Sequence, residues 1–355
     1  MPLPSPRPSP PSTTSRRAPL RAGRRRSNRS ATFSNLLRST QTTDGRPLLL
    51  AVVGPTATGK SALALSVATQ VGGEIINCDS TAVYRGFDIG TDKVPRSQWC
   101  GIPHHLIDVA EPTEVYSAAR YSRDAAQVVR EVTARGCLPV VVGGTGLYYR
   151  ALTRGLFPGP GRDPALRARL SRVARRRGVE TLHRLLRRHD PESAQRIQPR
   201  DEKRLIRALE VYLLTGRPLT DHFASTRSPI ADYAVVTVGL QLAGDELEAR
   251  IVHRVDQQFA DGLLDEIRGL LVAGVPPDVG PFGGLVYRQA LEHLRGVRDE
   301  AATRELIVRG NRRYARRQLI WFRKEPNLQW LRAPGERLAT CEAVRRLLET
   351  SCRSS

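Results

Sequence analysis

The residue types and spacing of a phosphate-binding loop occur at residues 54–61, in the sequence GPTATGKS. Glycines at such positions let backbone N–H groups curve around an oxyanion at the start of a helix. Lys60 adds a positive charge, and the Ser61 hydroxyl suits Mg²⁺. The pattern recognises oxyanions in general, so the loop alone does not identify the molecule that carries the phosphate.

Two further polar residues follow apolar runs that resemble buried strands. Asp79 comes after GEIINC, where its carboxylate could bind Mg²⁺, cap the next turn or act as a base. Thr145 lies in VGGTG, where its hydroxyl could donate to a phosphate or serve the turn itself. The sequence leaves these roles open.

Adjacent histidines in HHLID, His104 and His105, suggest a metal site at first. Neighbouring side chains on a strand point to opposite faces, and no third ligand stands at metal-binding spacing. We therefore interpret the pair as structural or substrate-lining rather than metal-binding.

The net charge of +21 indicates a polyanionic partner. Residues 1–43 contribute nine arginines and no acid, so the rest of the chain still carries +12. Residues 162–207 hold fourteen arginines and one lysine against six acids. Residues 309–324 hold seven cations, no acid and three interleaved aromatic residues, which predicts a core-docked helix, a nucleic-acid surface, or both on different faces. The alternative explanation for the charge is an arginine-rich composition caused by a GC-rich genome.

Composition also excludes several classes of protein. Five scattered cysteines without a C-x-x-C motif argue against a disulfide framework or a zinc ribbon and predict a reducing compartment. No run approaches the roughly 18 apolar residues that a membrane span requires, so no membrane partner is expected. We expect a cytoplasmic protein; an organellar location is the alternative if residues 1–45, rich in Pro, Ser and Arg, are a transit peptide.

Apolar runs that resemble strands alternate with helical patterns along the chain, which predicts an α/β fold with a doubly wound parallel sheet. Ligands bind at the carboxyl ends of the strands in such sheets, so the phosphate loop, Asp79 and the turn at 143–146 should share one crevice. The predicted organisation is a disordered arm at 1–45, a core at 46–155 and 232–335, a basic helical insertion at 156–231, and a tail at 336–355.

Nine segments together resemble the tRNA dimethylallyltransferase family, also called tRNA isopentenyltransferase, in its bacterial form without a C-terminal zinc finger. In chain order they are GPTATGKSALAL, EIINCDSTAVYRGFDIGTDK, GIPHHLIDV, YSAARYSRDA, PVVVGGTGLYYRAL, RLIRALEVYLLTGRPLT, RIVHRVDQQFADGLLDEI, VYRQAL and RRYARRQLIWFR. They extend from about residue 47 to 331. The chain departs from the family pattern at Ala82, Val286 and Asn311.

The resemblance implies a P-loop NTPase-like sheet with an all-helical insertion domain, and a prenyl transfer. The dimethylallyl group of dimethylallyl diphosphate would pass to N6 of the adenine just 3′ of the anticodon in tRNA. Asp79 matches the catalytic aspartate, while Thr145 and Arg254 match positions that contact the diphosphate; Mg²⁺ would bind at Ser61. The implied diphosphate-binding residues are Gly54, Pro55, Thr56, Ala57, Thr58, Gly59, Lys60 and Ser61.

The resemblance also implies a set of RNA contacts, with the basic insertion clamping the anticodon stem-loop of tRNA. A monomer is expected. The implied tRNA-binding residues are Asp79, Ser80, Thr81, Ala82, Tyr287, Arg288, Arg316, Arg317, Gln318 and Arg323.

Three alternatives remain at this point. A small-molecule or nucleoside kinase would explain the phosphate loop and the sheet but not the basic segments. An adenylate isopentenyltransferase that makes a free cytokinin would explain the donor chemistry but not the basic surface. A non-enzymatic RNA-binding protein would leave Lys60, Ser61 and Asp79 without a role.

Overall fold

A single parallel sheet organises the chain. The computed structural model describes residues 40–157 and 159–353. Six strands lie in the order β3-β2-β4-β1-β5-β6, and every neighbouring pair is parallel. The strands are β1 Leu48–Val53, β2 Gly73–Asn77, β3 His104–His105, β4 Leu138–Gly143, β5 Ala234–Leu240 and β6 Leu328–Leu331. The predicted α/β class with a parallel sheet is therefore confirmed.

Helices connect the strands and cover both faces of the sheet. They are α1 Lys60–Val71, α2 Ala118–Ala134, α3 Gly146–Thr153, α4 Pro164–Arg177, α5 Val179–His189, α6 Pro191–Arg196, α7 Glu202–Thr215, α8 Leu219–Ala224, α9 Gly244–Ala260, α10 Leu263–Val272, α11 Leu285–Leu294, α12 Glu300–Phe322 and α13 Leu338–Arg353. None of the helices within 40–157 and 159–353 is long and apolar enough to cross a bilayer.

The central strand β1, with the sequence LLLAVV, is buried at all six positions. Its run is continuous rather than alternating because β4 and β5 pair with its two edges and helices cover its two faces. Leu63 and Val67 of α1 pack on one face. Tyr121 of α2 and Phe322 of α12 belong to the cluster on the other face.

The C-terminal segment at 336–355 is not a loose tail, as far as it is described. Its helix α13 buries Cys341, Val344 and Leu348 in the same apolar cluster as α1 and β1. Apolar residues at i, i+3 and i+7 place these three side chains on one face of the helix. Helix α13 therefore packs against the sheet core; the domain boundaries given above stay predictions.

The insertion between α3 and β5 is helical and has an apolar cluster of its own, formed by α4 to α8. Glu210 of α7 is completely buried within it and accepts hydrogen bonds from Arg167 and Arg207 and from the backbone N–H of Asp163. A buried carboxylate needs such partners because leaving it unpaired is costly. The contacts fix α4 against α7.

The N-terminal arm predicted to be disordered lies mostly outside the described residues, which begin at 40. Residues 40–45 fall inside them and form a hydrogen-bonded turn that leads into β1. Leu48 donates its N–H to the Thr40 carbonyl at 2.7 Å, and Gly45 donates to Thr42 at 2.9 Å. Residues 40–45, which lie before the predicted boundary, are thus joined to β1 by backbone hydrogen bonds.

Candidate active site

The phosphate loop joins β1 to α1 in a conformation that ordinary residues rarely adopt. Gly54, Ala57 and Gly59 all have positive φ, at 128°, 63° and 84°. A Cβ at Gly54 would lie 2.7 Å from the backbone oxygen of Leu240, so only glycine fits there. The curvature brings successive residues of the loop around one concavity in front of the N-terminus of α1, where an anion is favoured.

Lys60 is held at the centre of this loop. Its Nζ donates a hydrogen bond of 2.6 Å to the backbone oxygen of Pro55. Burial, followed by the positive charge of Arg254, lowers the pKa of Lys60 to about 8, while Asp79 and Asp92 act in the opposite direction. Burial therefore disfavours the charged form of Lys60 in the free site, and a bound anion would stabilise that form.

Asp79 follows β2 and is anchored on both its backbone and its side chain. Asn77 accepts from the Asp79 N–H at 3.0 Å and donates to its carbonyl at 3.0 Å. Thr81 donates to Asp79 Oδ1 from its backbone N–H at 2.9 Å and from its hydroxyl at 2.6 Å. Oδ2 has no hydrogen-bond partner among the described residues, so one oxygen is fixed and the other is available as a proton acceptor.

Thr145 connects the ends of β2 and β4. Its backbone N–H donates to Cys78, and its hydroxyl accepts from the Ser80 N–H at 3.0 Å and donates to Ser80 Oγ at 3.2 Å. Gly143 and Gly144 line the cavity beside it, whereas Thr145 itself does not. The observed contacts thus give Thr145 a positioning role for residues 78–80; its contact with a diphosphate stays a prediction.

Arg254 on α9 reaches the phosphate loop. Its Nη1 donates to the Thr56 hydroxyl at 2.8 Å and forms an ion pair with Asp92 Oδ2 at 2.9 Å. Asp92 was not among the residues predicted from the sequence. It lies in the segment DIGTDK, and no local pattern there indicates a contact with Arg254, 162 positions later.

These groups share one cavity of about 410 Å³. Asp79, Asp92, Arg254 and Lys60 line it together with much of the phosphate loop, including Ser61. The structure therefore brings together most of the predicted diphosphate residues and the predicted base. Chemically, the cavity combines an anion cradle and two cations with a carboxylate that has one free oxygen.

The donor atoms in this cavity suit magnesium. Mg²⁺ prefers oxygen ligands and is commonly held by one or two protein oxygens together with substrate phosphates and water. The exposed Ser61 hydroxyl at the start of α1 supplies such an oxygen and lines the cavity. Within 40–157 and 159–353 no three His, Cys, Asp or Glu residues cluster as a complete metal site, so most ligands would come from the substrate.

The segment after β6 covers the outer side of the phosphate loop, which the sequence did not indicate. Gly335 donates its N–H to the Thr58 carbonyl at 3.0 Å, and a Cβ there would lie 2.1 Å from the Gly59 oxygen. Glu336 also lines the cavity and pairs with Arg250 at 3.1 Å. The segment that carries Gly335 and Glu336 therefore limits the space on the outer side of the phosphate loop.

The residues predicted to contact tRNA differ in how exposed they are. Arg288, Arg316, Arg317 and Arg323 are exposed. Near the cavity, Ser80 and Thr81 are half-buried, and Ala82 is buried but lines the cavity. The four exposed arginine side chains can therefore contact a large substrate directly.

Two of the residues predicted to contact tRNA have buried side chains with hydrogen-bond partners inside the protein. Gln318 accepts from the Thr56 N–H at 2.9 Å and donates to the Gly144 carbonyl at 2.8 Å, so it links the phosphate loop to the turn after β4. The Tyr287 hydroxyl donates to Glu266 at 2.6 Å and accepts from the Gly90 N–H at 3.0 Å. Both side chains therefore make structural contacts near the site; their contact with tRNA stays a prediction.

Helix α12 separates its aromatic and cationic residues by face. Phe322 is fully buried, and the Trp321 ring lies 4.3 Å beneath the Arg150 guanidinium. Burial raises the pKa of Tyr314. The three aromatic side chains are therefore buried or half-buried against the core, whereas Arg316, Arg317 and Arg323 are exposed.

The histidine pair has structural contacts. His105 Nε2 lies 2.7 Å from Glu74 Oε2, and Arg135 pairs with the same carboxylate at 2.7 Å. Arg135, followed by the smaller contribution of His105, holds the pKa of Glu74 at about 2 against the opposing effect of burial. His104 stacks on Trp99 with ring centroids 4.3 Å apart and lines the cavity.

Comparison with known proteins agrees with this geometry. The profile of the family described as IPP transferase matches residues 82–325. The tRNA dimethylallyltransferase of Solibacter usitatus is 48% identical over 291 residues, 81% of this chain and 93% of that protein. The tRNA dimethylallyltransferase of Geobacter sulfurreducens is 43% identical over 81% of this chain and 92% of its own length.

Solved structures similar to this chain agree with the family match. The crystal structure of the tRNA isopentenylpyrophosphate transferase of Bacillus halodurans is similar with a TM-score of 0.64 at 35% identity, covering 86% of this chain and 97% of that one. A eukaryotic dimethylallyltransferase shares the fold with a TM-score of 0.69 at 24% identity, covering 84% of this chain and 77% of that one. The chain belongs to the IPP transferase family.

Proposed function

We propose that the protein transfers the dimethylallyl group of dimethylallyl diphosphate to N6 of the adenine 3′-adjacent to the anticodon in tRNA and releases diphosphate. The observation that carries this proposal is that the Asp79 carboxylate lines the same cavity as the anion-binding loop. Membership of the family, with curated relatives named tRNA dimethylallyltransferase, supports tRNA as the acceptor. Those relatives do not support the kinase, the cytokinin-forming enzyme or a non-enzymatic role.

The leaving group sets the first requirement of the reaction. The bond between C1 of the prenyl group and the diphosphate oxygen breaks, and its electron pair stays on the diphosphate. Negative charge therefore builds on that oxygen, where Lys60, the loop N–H groups and Arg254 can stabilise it. When bound at Ser61, Mg²⁺ supplies further positive charge to the diphosphate oxygens.

The acceptor sets the second requirement. The N6 amine of adenine is a poor nucleophile because its lone pair is delocalised into the ring. As the bond from N6 to C1 forms, N6 must lose a proton, and Asp79 accepts it through the oxygen that Thr81 leaves free. The Asn77 contacts and the Thr81 hydrogen bonds keep this carboxylate oriented.

The target base has to leave its stack to reach the cavity, at a cost of a few kcal/mol. Exposed arginines on α11 and α12, together with those of the helical insertion, offer contacts to the RNA phosphates that would repay this cost. Because one chain contains both the diphosphate cavity and these cations, we propose that a monomer suffices.

Incubation of the protein with unmodified tRNA and dimethylallyl diphosphate tests the function, with nucleoside mass analysis as the measurement. We expect one adenosine next to the anticodon to gain the mass of a dimethylallyl group. ATP in place of the prenyl donor is the control. Efficient transfer of the ATP γ-phosphoryl group, with tRNA left unmodified, would contradict the proposal in favour of a kinase.

Replacing Arg316 and Arg317 by alanine should weaken tRNA binding and reduce its salt dependence. Each phosphate contact contributes about 0.7 to 0.9 to the slope of log K against log salt, so the double variant should lose between about 1 and 2. Filter binding of tRNA at several salt concentrations measures the slope. Alanine at Arg123 and Arg130, two exposed arginines of α2, is the charge-matched control; an unchanged slope in the α12 variant would remove that helix from the interface.

A further inference from the structure

An ion pair in the cavity wall joins α9 to the loop formed by residues 88–93. Arg254 lies 2.9 Å from Oδ2 of Asp92, and Gln258, one turn later on α9, donates to Oδ1 of Asp92 at 3.0 Å. Both carboxylate oxygens of Asp92 therefore hold α9. The same Nη1 of Arg254 that contacts Asp92 also donates to the Thr56 hydroxyl in the phosphate loop.

The loop that carries Asp92 is itself firmly held. Lys93 Nζ contacts the carboxylates of Asp88 and Asp108 at 2.6 and 2.5 Å. Glu266 accepts hydrogen bonds from two backbone N–H groups of the loop, and Tyr287 donates to Glu266 while accepting from a third. Asp92 is thus presented from a fixed loop, so it can serve as a reference position for the longer and more flexible arginine.

The Asp92 side chain is 32% exposed because it faces the cavity rather than the packed core. Desolvation by the surrounding protein raises the pKa of its carboxyl, and Arg254 and Gln258 oppose this effect. Its φ of 53° lies in the left-handed region, which aspartate and asparagine tolerate better than most residues. The backbone at this position therefore tolerates aspartate, and its carboxylate lines the same cavity as the phosphate loop.

An acid beside an anion site can act in two opposite ways. It can repel the diphosphate, in which case its removal strengthens binding. Alternatively it can order Arg254 before the substrate arrives and offset the repulsion between Arg254 and Lys60, in which case its removal weakens binding. The second effect is favoured by the geometry, because Arg254 is held simultaneously by Asp92 and by Thr56 of the loop, and an unheld arginine loses much rotational freedom when it binds.

We propose that Asp92 is a positioning residue for the diphosphate: it holds Arg254 beside Thr56, so that the guanidinium is already aligned when the donor binds. This inference rests on the proposed function for the identity of the donor. It concerns a residue that lies outside the phosphate loop and the predicted catalytic set, and it explains why α9 is joined to residues 88–93 at this point.

Asp92→Asn tests the inference, because asparagine keeps the size and the backbone preference but loses the charge. We expect the Kd for inorganic diphosphate, measured by calorimetry, and the KM for dimethylallyl diphosphate to rise about tenfold, with unchanged tRNA affinity. Asp92→Glu should recover part of the loss. In the Asp92→Asn/Arg254→Ala double variant, the loss of diphosphate affinity should be close to that of Arg254→Ala alone, because both substitutions remove the same contact.

Asp261→Asn removes one negative charge at the end of the same helix and should leave diphosphate binding unchanged. Equal or tighter diphosphate binding by Asp92→Asn would overturn the inference, and so would additive losses in the double variant or a parallel loss of tRNA affinity. Because inorganic diphosphate is one of the probes, the result is separable from the donor's identity. Failure of the wild-type protein to bind dimethylallyl diphosphate, with normal binding of inorganic diphosphate, would count against the proposed function instead.

Discussion

Replacement of Asp79 by alanine should lower the turnover of dimethylallyl transfer by about 10³-fold while tRNA and diphosphate still bind. A positioned general base contributes between about 10² and 10⁴ in rate, and Asp79 has one oxygen fixed by Thr81 and one free. The cradle for the diphosphate consists of other residues, so donor affinity should change little. Single-turnover transfer to tRNA measures the chemical step, and calorimetry measures the two affinities.

Asp79→Asn distinguishes loss of the general base from disturbance of the local structure. Its side-chain oxygen can still accept the hydrogen bonds of Thr81, but the amide cannot take a proton from N6. We expect this variant to be as slow as Asp79→Ala while the loop at 79–81 keeps its structure. Transfer at the wild-type rate by Asp79→Asn would show that another group, or water, receives the proton.

Substitution of Lys60 by alanine should weaken diphosphate binding by about 100-fold. Removing one partner of a hydrogen-bonded charge pair costs about 2 to 5 kcal/mol, and each 1.4 kcal/mol is a factor of ten. Lys60 lies at the centre of the loop, where its ammonium group would meet the diphosphate. Calorimetry with inorganic diphosphate provides the measurement, and Lys203→Ala, an exposed lysine of the insertion, is the control.

The pH dependence of this effect follows from the pKa of Lys60, about 8 in the free site. Well below pH 8 the side chain is charged and contributes fully to anion binding. As the pH rises above 8 the free protein loses this proton, so binding must first restore it and the affinity falls. The ratio of wild-type to Lys60→Ala affinity cancels the titration of the ligand itself and should decline between about pH 8 and 10. A constant ratio over that interval would contradict the assigned protonation.

Local sequence patterns indicate those helices whose ends depend on residues close to one another in the chain. Helix α1, from Lys60 to Val71, lies between Gly59 and Gly72, and no proline interrupts it. At the start of α12, Asp299 accepts from the Ala302 N–H at 2.7 Å and acts as the N-cap.

What the sequence determined by itself is the chemistry at the strand ends. The glycine-rich loop with Lys60 follows one apolar run, and Asp79 follows another. The carboxyl ends of parallel strands meet at one edge of the sheet, so the order of the elements was enough to predict that these residues converge. The family resemblance added Arg254 as a residue near the diphosphate.

Only the tertiary structure decided which distant side chains organise these groups. Asp92 meets Arg254, Gln318 links Thr56 to Gly144, and the segment carrying Glu336 covers the phosphate loop. In each case the partners are more than 150 residues apart, and the contact depends on how α9, α12 and the chain after β6 pack against the sheet. Spacing along the chain specifies the face of a helix or strand, but it carries no information about which remote segment that face will contact.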